Sequence, residues 1–144
     1  MTTAMEIMHS EATCVSETDT LLDVARVMQD LGIGAVPICG SDDRLKGIIT
    51  DRDIVLKCVA REKDPATCTA AELAQGKPFY AEADDEIGRV LEMMASHHVQ
   101  RVPVVRDRRL VGMISEADIA QNLPDSMVGH FLESIKQGQT DRVT

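Results

Sequence analysis

Aromatic residues are nearly absent from this 144-residue chain: Phe79, Tyr80 and Phe131 are the three, and there is no Trp. Three aromatics cannot build the stacking platforms on which single-stranded nucleic acids lie. Positive charge is also in deficit. Fifteen Lys and Arg face 24 Asp and Glu, for a formal net charge of −9. An acidic chain without a basic run does not bind nucleic-acid polymers or anionic membranes by charge. No stretch reaches the roughly 18 consecutive apolar residues of a membrane span. What remains is ordinary globular composition, 44% hydrophobic and 27% charged. That composition argues against disorder. A flat ligand, if one binds, must be held by aliphatic side chains and backbone.

The first eight residues, Met1-Thr-Thr-Ala-Met-Glu-Ile-Met8, have neither a basic start nor a long apolar core. They do not read as a signal peptide, and the expected location is cytoplasmic. Cys14, Cys39, Cys58 and Cys68 show no C-x-x-C spacing, so no zinc knuckle or thioredoxin-like motif is indicated. They fit buried, reduced thiols. Alternatively, Cys14 and Cys39 form one structural disulfide, if their strands lie side by side. Of the possible metal ligands His9, His97, His98 and His130, the adjacent pair His97-His98 cannot face one way from a helix.

The chain repeats itself. Arg44-Leu-Lys-Gly-Ile-Ile-Thr-Asp-Arg-Asp-Ile54 matches Arg109-Leu-Val-Gly-Met-Ile-Ser-Glu-Ala-Asp-Ile119. Upstream, Ile33-Gly-Ala-Val-Pro-Ile38 matches Val99-Gln-Arg-Val-Pro-Val104 with an offset one residue larger. The missing residue falls in 39–46 or in 105–111, where a hairpin turn tolerates a change of length. Each copy reads as a short extended piece (Thr13–Val15, Phe79–Ala81), an amphipathic helix, a hairpin and a second helix. Leu21, Val24, Ala25, Met28 and Leu31 line the first helix, with Thr18 or Asp19 as its cap. Ile87, Val90, Leu91 and Met94 line its counterpart, with Asp84 or Asp85 as the cap. Gly32-Ile-Gly34 reads as a helix stop. The second helices start at Asp51 and Glu116. The divisions that follow are repeat 1 at 4–59, a linker at 60–71, repeat 2 at 72–123, a final helix at 124–137 and a loose tail at 138–144. Short helices are expected at Ala4–Met8 and Thr69–Leu73. The final helix would turn Met127, Val128, Phe131, Leu132 and Ile135 to one face. A copy of about 60 residues buries too little surface to stand alone, and two copies stacked on their sheets make one adequate core.

The chemistry lies in a repeated Gly-x-x-Thr/Ser-x-x-Asp: Gly47-Ile-Ile-Thr50-Asp-Arg-Asp53 and Gly112-Met-Ile-Ser115-Glu-Ala-Asp118. Either one alone is also a plain capping box that starts a helix. Read functionally, a strand ends at the hydroxyl, and backbone N–H groups at the helix start favour an anion such as phosphate. The hydroxyl can donate to a phosphate oxygen, and the carboxylate one turn on can accept from two ribose hydroxyls. Gly47 and Gly112 would let a ligand or a neighbouring backbone come close.

With both blocks present in order and twice, over about residues 4–123, the sequence resembles the CBS (cystathionine-β-synthase) domain family, as a tandem pair. The apolar-Pro-apolar strands Val36-Pro-Ile38 and Val102-Pro-Val104 and the paired Gly-x-x-Thr/Ser-x-x-Asp carry that resemblance. It implies an α/β (α+β) fold of two β-α-β-β-α repeats packed sheet to sheet with pseudo-twofold symmetry. It also implies clefts that bind adenosine compounds (AMP, ADP, ATP, NAD-type dinucleotides or S-adenosylmethionine) and a homodimer. Carried over by position, Thr50 and Ser115 would meet phosphate, and Asp53 and Asp118 would hold ribose. Val15, Val36 and Pro37, and Ala81, Val102 and Pro103, would flank the base. Arg52 has no counterpart in repeat 2, where Ala117 stands, and an Arg can pair bidentately with phosphate. Arg101 stands where repeat 1 has Ala35, and would reach across to the opposite ligand. These differences favour the first site.

No cofactor is required on this reading. The ligand is AMP, ATP or another adenosine compound, and any regulated partner is a separate chain. No Gly-x-Ser-x-Gly elbow, P-loop or His-Glu-x-x-His occurs, so no catalytic residue is expected. A dimeric module without nucleotide, or a metal- or redox-responsive protein, are the competing expectations.

Overall fold

The computed structural model describes residues 1–10, 13–74 and 78–143, with side chains up to residue 136. The chain divides into two units, and each takes parts from separate stretches of sequence. One comprises Met1–Glu11, Phe79–Arg106 and Val111–Thr144; the other comprises Ala12–Pro78 and Asp107–Leu110. They are called here the second-repeat and the first-repeat unit.

The first-repeat unit begins with β1 (Val15–Ser16), which pairs in parallel with β2 (Ala35–Cys39). Between them lies α2 (Leu21–Leu31). Its cap is Thr20, whose side chain accepts from the Asp23 N–H. The expected caps Thr18 and Asp19 lie two and one residues too early for a physical reason. The Asp19 carboxylate reaches back to the Ser16 N–H at 2.9 Å, closing a turn that delays the helix. At the other end Gly32, at φ 66°, takes the left-handed C-cap position that a side chain disfavours. Leu21, Val24 and Met28 turn inward as expected, but Leu31 at the helix end is half exposed.

The strand β2 pairs antiparallel with β3 (Leu45–Thr50), from Ala35 opposite Thr50 to Ile38 opposite Gly47, with a register shift at Ile38/Cys39. The polar residues 40–44 form the turn, as their Gly, Ser and Asp content demands. The helix α3 (Asp51–Ile54) follows directly and continues as a π-helical turn, Val55–Val59. The short α4 (Ala70–Leu73) closes the unit, and its Ala70 and Leu73 join Val15, Leu21, Val24, Val36, Ile38 and Ile49 in one core.

The second repeat follows the same plan. It contains β4 (Ala81–Glu82), α5 (Ile87–His97), β5 (Arg101–Arg106), β6 (Arg109–Ser115) and α6 (Glu116–Asn122). Its sheet order is β4-β5-β6, matching β1-β2-β3. Here too the expected caps shift. Asp85 accepts from the Glu82 N–H at 2.9 Å, and Glu86 becomes the cap residue. The hairpin turn is only Asp107 and Arg108, both at positive φ (53° and 68°), as tight two-residue hairpins require. So the length difference between the repeats does sit in the hairpin.

The N-terminal helix α1 (Ala4–Ile7) packs in this second-repeat unit. Ala4 and Ile7 are buried among Ala81, Ile87, Val90 and Met94. The Ala4 and Met5 N–H groups donate to the carbonyls of Asp85 (2.9 Å) and Ala83 (3.0 Å). The final helix α7 spans Asp125–Val143. It therefore continues through most of the stretch expected to be a loose tail, where no proline interrupts it; Thr144 lies outside the described residues. Phe131 and Ile135 are buried and Met127 and Val128 pack against the same core, but Leu132 is 46% exposed and leaves the expected face.

Candidate functional site

The repeated Gly-x-x-Thr/Ser-x-x-Asp forms the same local structure twice. Thr50 ends β3 in extended conformation and caps α3. The Asp53 N–H donates to Thr50 Oγ1 at 3.1 Å, and the Thr50 N–H donates to Asp53 Oδ2 at 3.0 Å. Ser115 and Asp118 form the matching box at the start of α6, with the Ser115 N–H donating to Asp118 Oδ2 at 2.8 Å. Each box satisfies two backbone donors that a helix start leaves orphaned.

Beyond the boxes the two sites diverge. At the first, Lys57 Nζ lies 3.2 Å from Asp53 Oδ1, one helical turn along. The Thr50 hydroxyl accepts one bond, and its own proton has no acceptor among the described residues. Arg52 is exposed and makes no ion pair among the described residues. At the second, the Ser115 hydroxyl donates to Asp118 Oδ2 at 2.9 Å, and His9 Nδ1–H donates to that same oxygen at 2.7 Å. Ser115 is 8% exposed. His9 is held there by its backbone, whose N–H and carbonyl bond to Met113 of β6 at 2.9 and 3.0 Å.

The expected anion cradle of backbone N–H groups does not exist at the first site. The Asp51 N–H donates to the Gly34 carbonyl at 3.0 Å, and the Arg52 N–H donates to the Asp51 carboxylate at 2.8 Å. Thr50 and Asp53 are satisfied by their box. The donors left there are the Thr50 hydroxyl and the exposed Arg52 side chain. At α6 the Glu116 and Ala117 N–H groups have no such acceptor among the described residues.

The two glycines of the motif serve the chain itself. A Cβ on Gly112 would lie 2.5 Å from Met8 Sδ and 2.7 Å from the His9 carbonyl; one on Gly47 would lie 3.0 Å from the Ala74 Cβ. Each glycine thus makes room for the segment just after a short helix, α1 in one unit and α4 in the other.

The residues expected at the base are deeply placed. Val15 and Val36 belong to the core of the first-repeat unit, Ala81 and Val102 to that of the second. Pro37 and Pro103, which follow Val36 on β2 and Val102 on β5, are buried too. Any contact with a base would therefore fall mainly to backbone atoms. Arg101 begins β5, half-buried and without an ion pair among the described residues. None of these residues lines the groove of about 470 Å³ between α5 and α7, whose walls include Leu91, Met127, His130 and Phe131.

Cys14 and Cys39 are joined in a disulfide, with Cα atoms 5.7 Å apart. The parallel pairing of β1 with β2 brings them together, since Val15 lies opposite Ile38 and Ser16 opposite Cys39. Cys58 and Cys68 are free thiols. Burial first, and the neighbouring Glu72 next, raise the Cys68 thiol above its ordinary pKa. His97 stacks on Phe79 with ring centroids 3.8 Å apart, while His98 is the C-cap of α5, in the left-handed region at φ 55°. Among the described residues no group of three or more His, Cys, Asp or Glu is arranged to hold a metal ion. No helix among them is long and apolar enough to cross a membrane.

Comparison with known proteins agrees with the repeated architecture. The CBS-domain family profile matches residues 4–59 and 70–125. Hypoxic response protein 1 of Mycobacterium tuberculosis is 49% identical over 135 residues, covering 94% of each chain. The crystal structure of Hypoxic Response Protein I, with two coordinated zinc ions, superposes with a TM-score of 0.80 at 51% identity, over 85% of this chain and all of that one. The CBS domain pair of protein MJ0100, in complex with 5′-methylthioadenosine and S-adenosyl-L-methionine, gives 0.73 at 27% identity, over 83% and 98%. Two matched segments, two sheets of the same order and two capping boxes thus make this chain a member of the CBS-domain family, as a tandem regulatory pair.

Proposed function

We propose that this protein is a non-enzymatic sensor that binds an adenosine compound, AMP, ATP or a relative, and works as a cytoplasmic homodimer acting on a separate partner chain in a stress response. The observation that carries this reading is the Thr50–Asp53 arrangement. A hydroxyl with a free proton stands two residues before the exposed Arg52 and one turn before a carboxylate whose Oδ2 takes one N–H and whose Oδ1 meets only Lys57. Those groups suit phosphate and a ribose diol respectively. The ligand-bound MJ0100 pair supports the ligand class, and the mycobacterial relative supports the stress context. The opposing factor is the net charge of −9, which repels an anionic ligand at long range, so Thr50 and Arg52 must supply the attraction locally.

Thermal-shift screening with AMP, ADP, ATP, NAD and S-adenosylmethionine tests it. A compound that binds only the folded state raises Tm, by about 2.7 kcal/mol of stability at a hundred times its Kd. No shift with any of them at millimolar concentration overturns the nucleotide reading. Light scattering at micromolar protein tests the dimer, which a monomeric mass refutes.

The disulfide favours one further reading, a redox-responsive CBS protein. A disulfide in a cytoplasm is ordinarily reduced or a sensor of oxidation. Trapping thiols with an alkylating agent at the moment of lysis would show Cys14 and Cys39 changing state with oxidant; a fixed state in both conditions removes this reading. The zinc ions of the mycobacterial protein extend it to metals. Elemental analysis of the purified protein tests that, and absence of stoichiometric metal ends it.

A further inference from the structure

We propose that His9 holds the second of the two repeated sites shut, so that each chain takes a single nucleotide, at Thr50 and Asp53. This rests on the nucleotide reading above and concerns which of its two sites is available.

The two carboxylates differ in their open acceptor positions. An ionised carboxylate offers about two lone-pair positions on each oxygen. Asp118 Oδ2 already receives three donors: the Ser115 N–H at 2.8 Å, the Ser115 hydroxyl at 2.9 Å and His9 Nδ1–H at 2.7 Å. That oxygen is saturated, and a ribose diol, which donates from two neighbouring hydroxyls, cannot engage the carboxylate through both oxygens. Asp53 Oδ2 receives one donor, the Thr50 N–H. Its Oδ1 is met by Lys57, whose contact is of a different kind. It is an i, i+4 pair made by a flexible, partly exposed side chain on the same helix, worth only a few tenths of a kcal/mol. Lys57 can swing aside. His9, though its side chain is 41% exposed against 32% for Lys57, is the shorter and stiffer side chain, and two backbone bonds to Met113 fix the segment that carries it.

The hydroxyls point the same way. The Ser115 proton is given to Asp118, whereas the Thr50 proton is free for a phosphate oxygen. The second site therefore offers no free hydroxyl proton and a carboxylate open only at Oδ1, although the Glu116 and Ala117 N–H groups there have no acceptor among the described residues; with His9 gone the Ser115 hydroxyl can rotate to a ligand, leaving Asp118 Oδ2 with the single N–H donor that Asp53 Oδ2 has. Nothing local in the sequence foreshadows this contact, which spans 109 residues.

Isothermal titration of the full-length protein with AMP, and in parallel with ATP and S-adenosylmethionine, provides the test. The parent should bind one molecule per chain. His9→Ala should bind two, and the double variant His9→Ala/Asp118→Ala should return to one. Gly112→Ala is the independent variant, because its Cβ must push the Met8–His9 segment away from Asp118 without removing the histidine itself. It should also raise the stoichiometry above one. Two molecules per parent chain, or one per His9→Ala chain, overturns the inference and leaves the nucleotide reading standing. So does a single parent site that is lost in Asp118→Ala and kept in Asp53→Ala. If neither the parent nor His9→Ala takes up any of the three compounds, the nucleotide reading fails and the inference falls with it.

Discussion

Reducing the Cys14–Cys39 disulfide is the perturbation whose size follows most directly from the structure. The bond closes a loop of 25 residues around β1, α2 and β2. In the chain-entropy description, releasing a loop of that length returns about 3.5 kcal/mol of freedom to the unfolded state. Unfolding entropy of about 2.1 cal/mol/K per residue amounts to about 0.3 kcal/mol/K for a chain of this length. The two together give a fall in Tm of about 12 °C on reduction. Cys39 is buried, so substitution would add a packing term; reduction keeps every heavy atom and isolates the crosslink. The assay is a thermal melt with and without a phosphine reductant, with thiols counted in denaturant beside it. Two thiols per chain should titrate before reduction, Cys58 and Cys68, and four after. A fall of less than about 4 °C with all four thiols released would refute the loop-entropy reasoning. Four thiols before reduction would refute the bond.

Three other outcomes are expected. Asp118→Ala should destabilise by roughly 1–3 kcal/mol in a denaturant melt, against about 1 kcal/mol for Asp53→Ala, because only Asp118 also holds Ser115 and His9; equal losses would mean that the His9 bond contributes nothing. Phe131→Ala, at a side chain 2% exposed between α7 and α5, should cost about 3–5 kcal/mol and loosen α7, read by hydrogen exchange along α5; protection unchanged in α5 would contradict the packing. The raised pKa of Cys68 leaves less thiolate at pH 7.5 than an ordinary thiol has, so its alkylation by iodoacetamide should be slower than that of glutathione and should accelerate as pH rises; a rate matching glutathione at pH 7.5 would refute it.

The sequence makes some parts of this molecule plain and hides others for identifiable reasons. Periodicity placed α2 and α5, and Gly32 marked where α2 stops, because these signals are local and a helix reports them every turn. The hairpins and both capping boxes were legible for the same reason. The helix starts were displaced to Thr20 and Glu86 because Asp19 and Asp85 are used in turns, and one acidic side chain suits a turn or a cap equally well. Leu31 and Leu132 fit an apolar stripe on paper yet face water, since a stripe is wider in sequence than the surface that covers it. The candidate site was half visible. Its Thr, Ser and Asp residues are spaced by the motif, but their present partners are not. His9 comes from the far end of the chain, and the internal satisfaction of the Asp51 and Arg52 N–H groups depends on Gly34 and on a rotamer.

The placement of α1 bears on how the protein is made. Ala4 and Ile7 leave the ribosome well before the residues that bury them, from Ala81 to Met94, which come some 80 positions later. At about 5–20 residues per second the N-terminal helix waits several seconds with its apolar side uncovered. Residues 13–74 can collapse during that interval, since their core needs little from further along the chain. The nascent chain thus matures from the middle outward, and its first helix is among the last pieces to be seated. Slowing translation after residue 78 would lengthen the period in which that helix is open to chaperones or to another nascent chain.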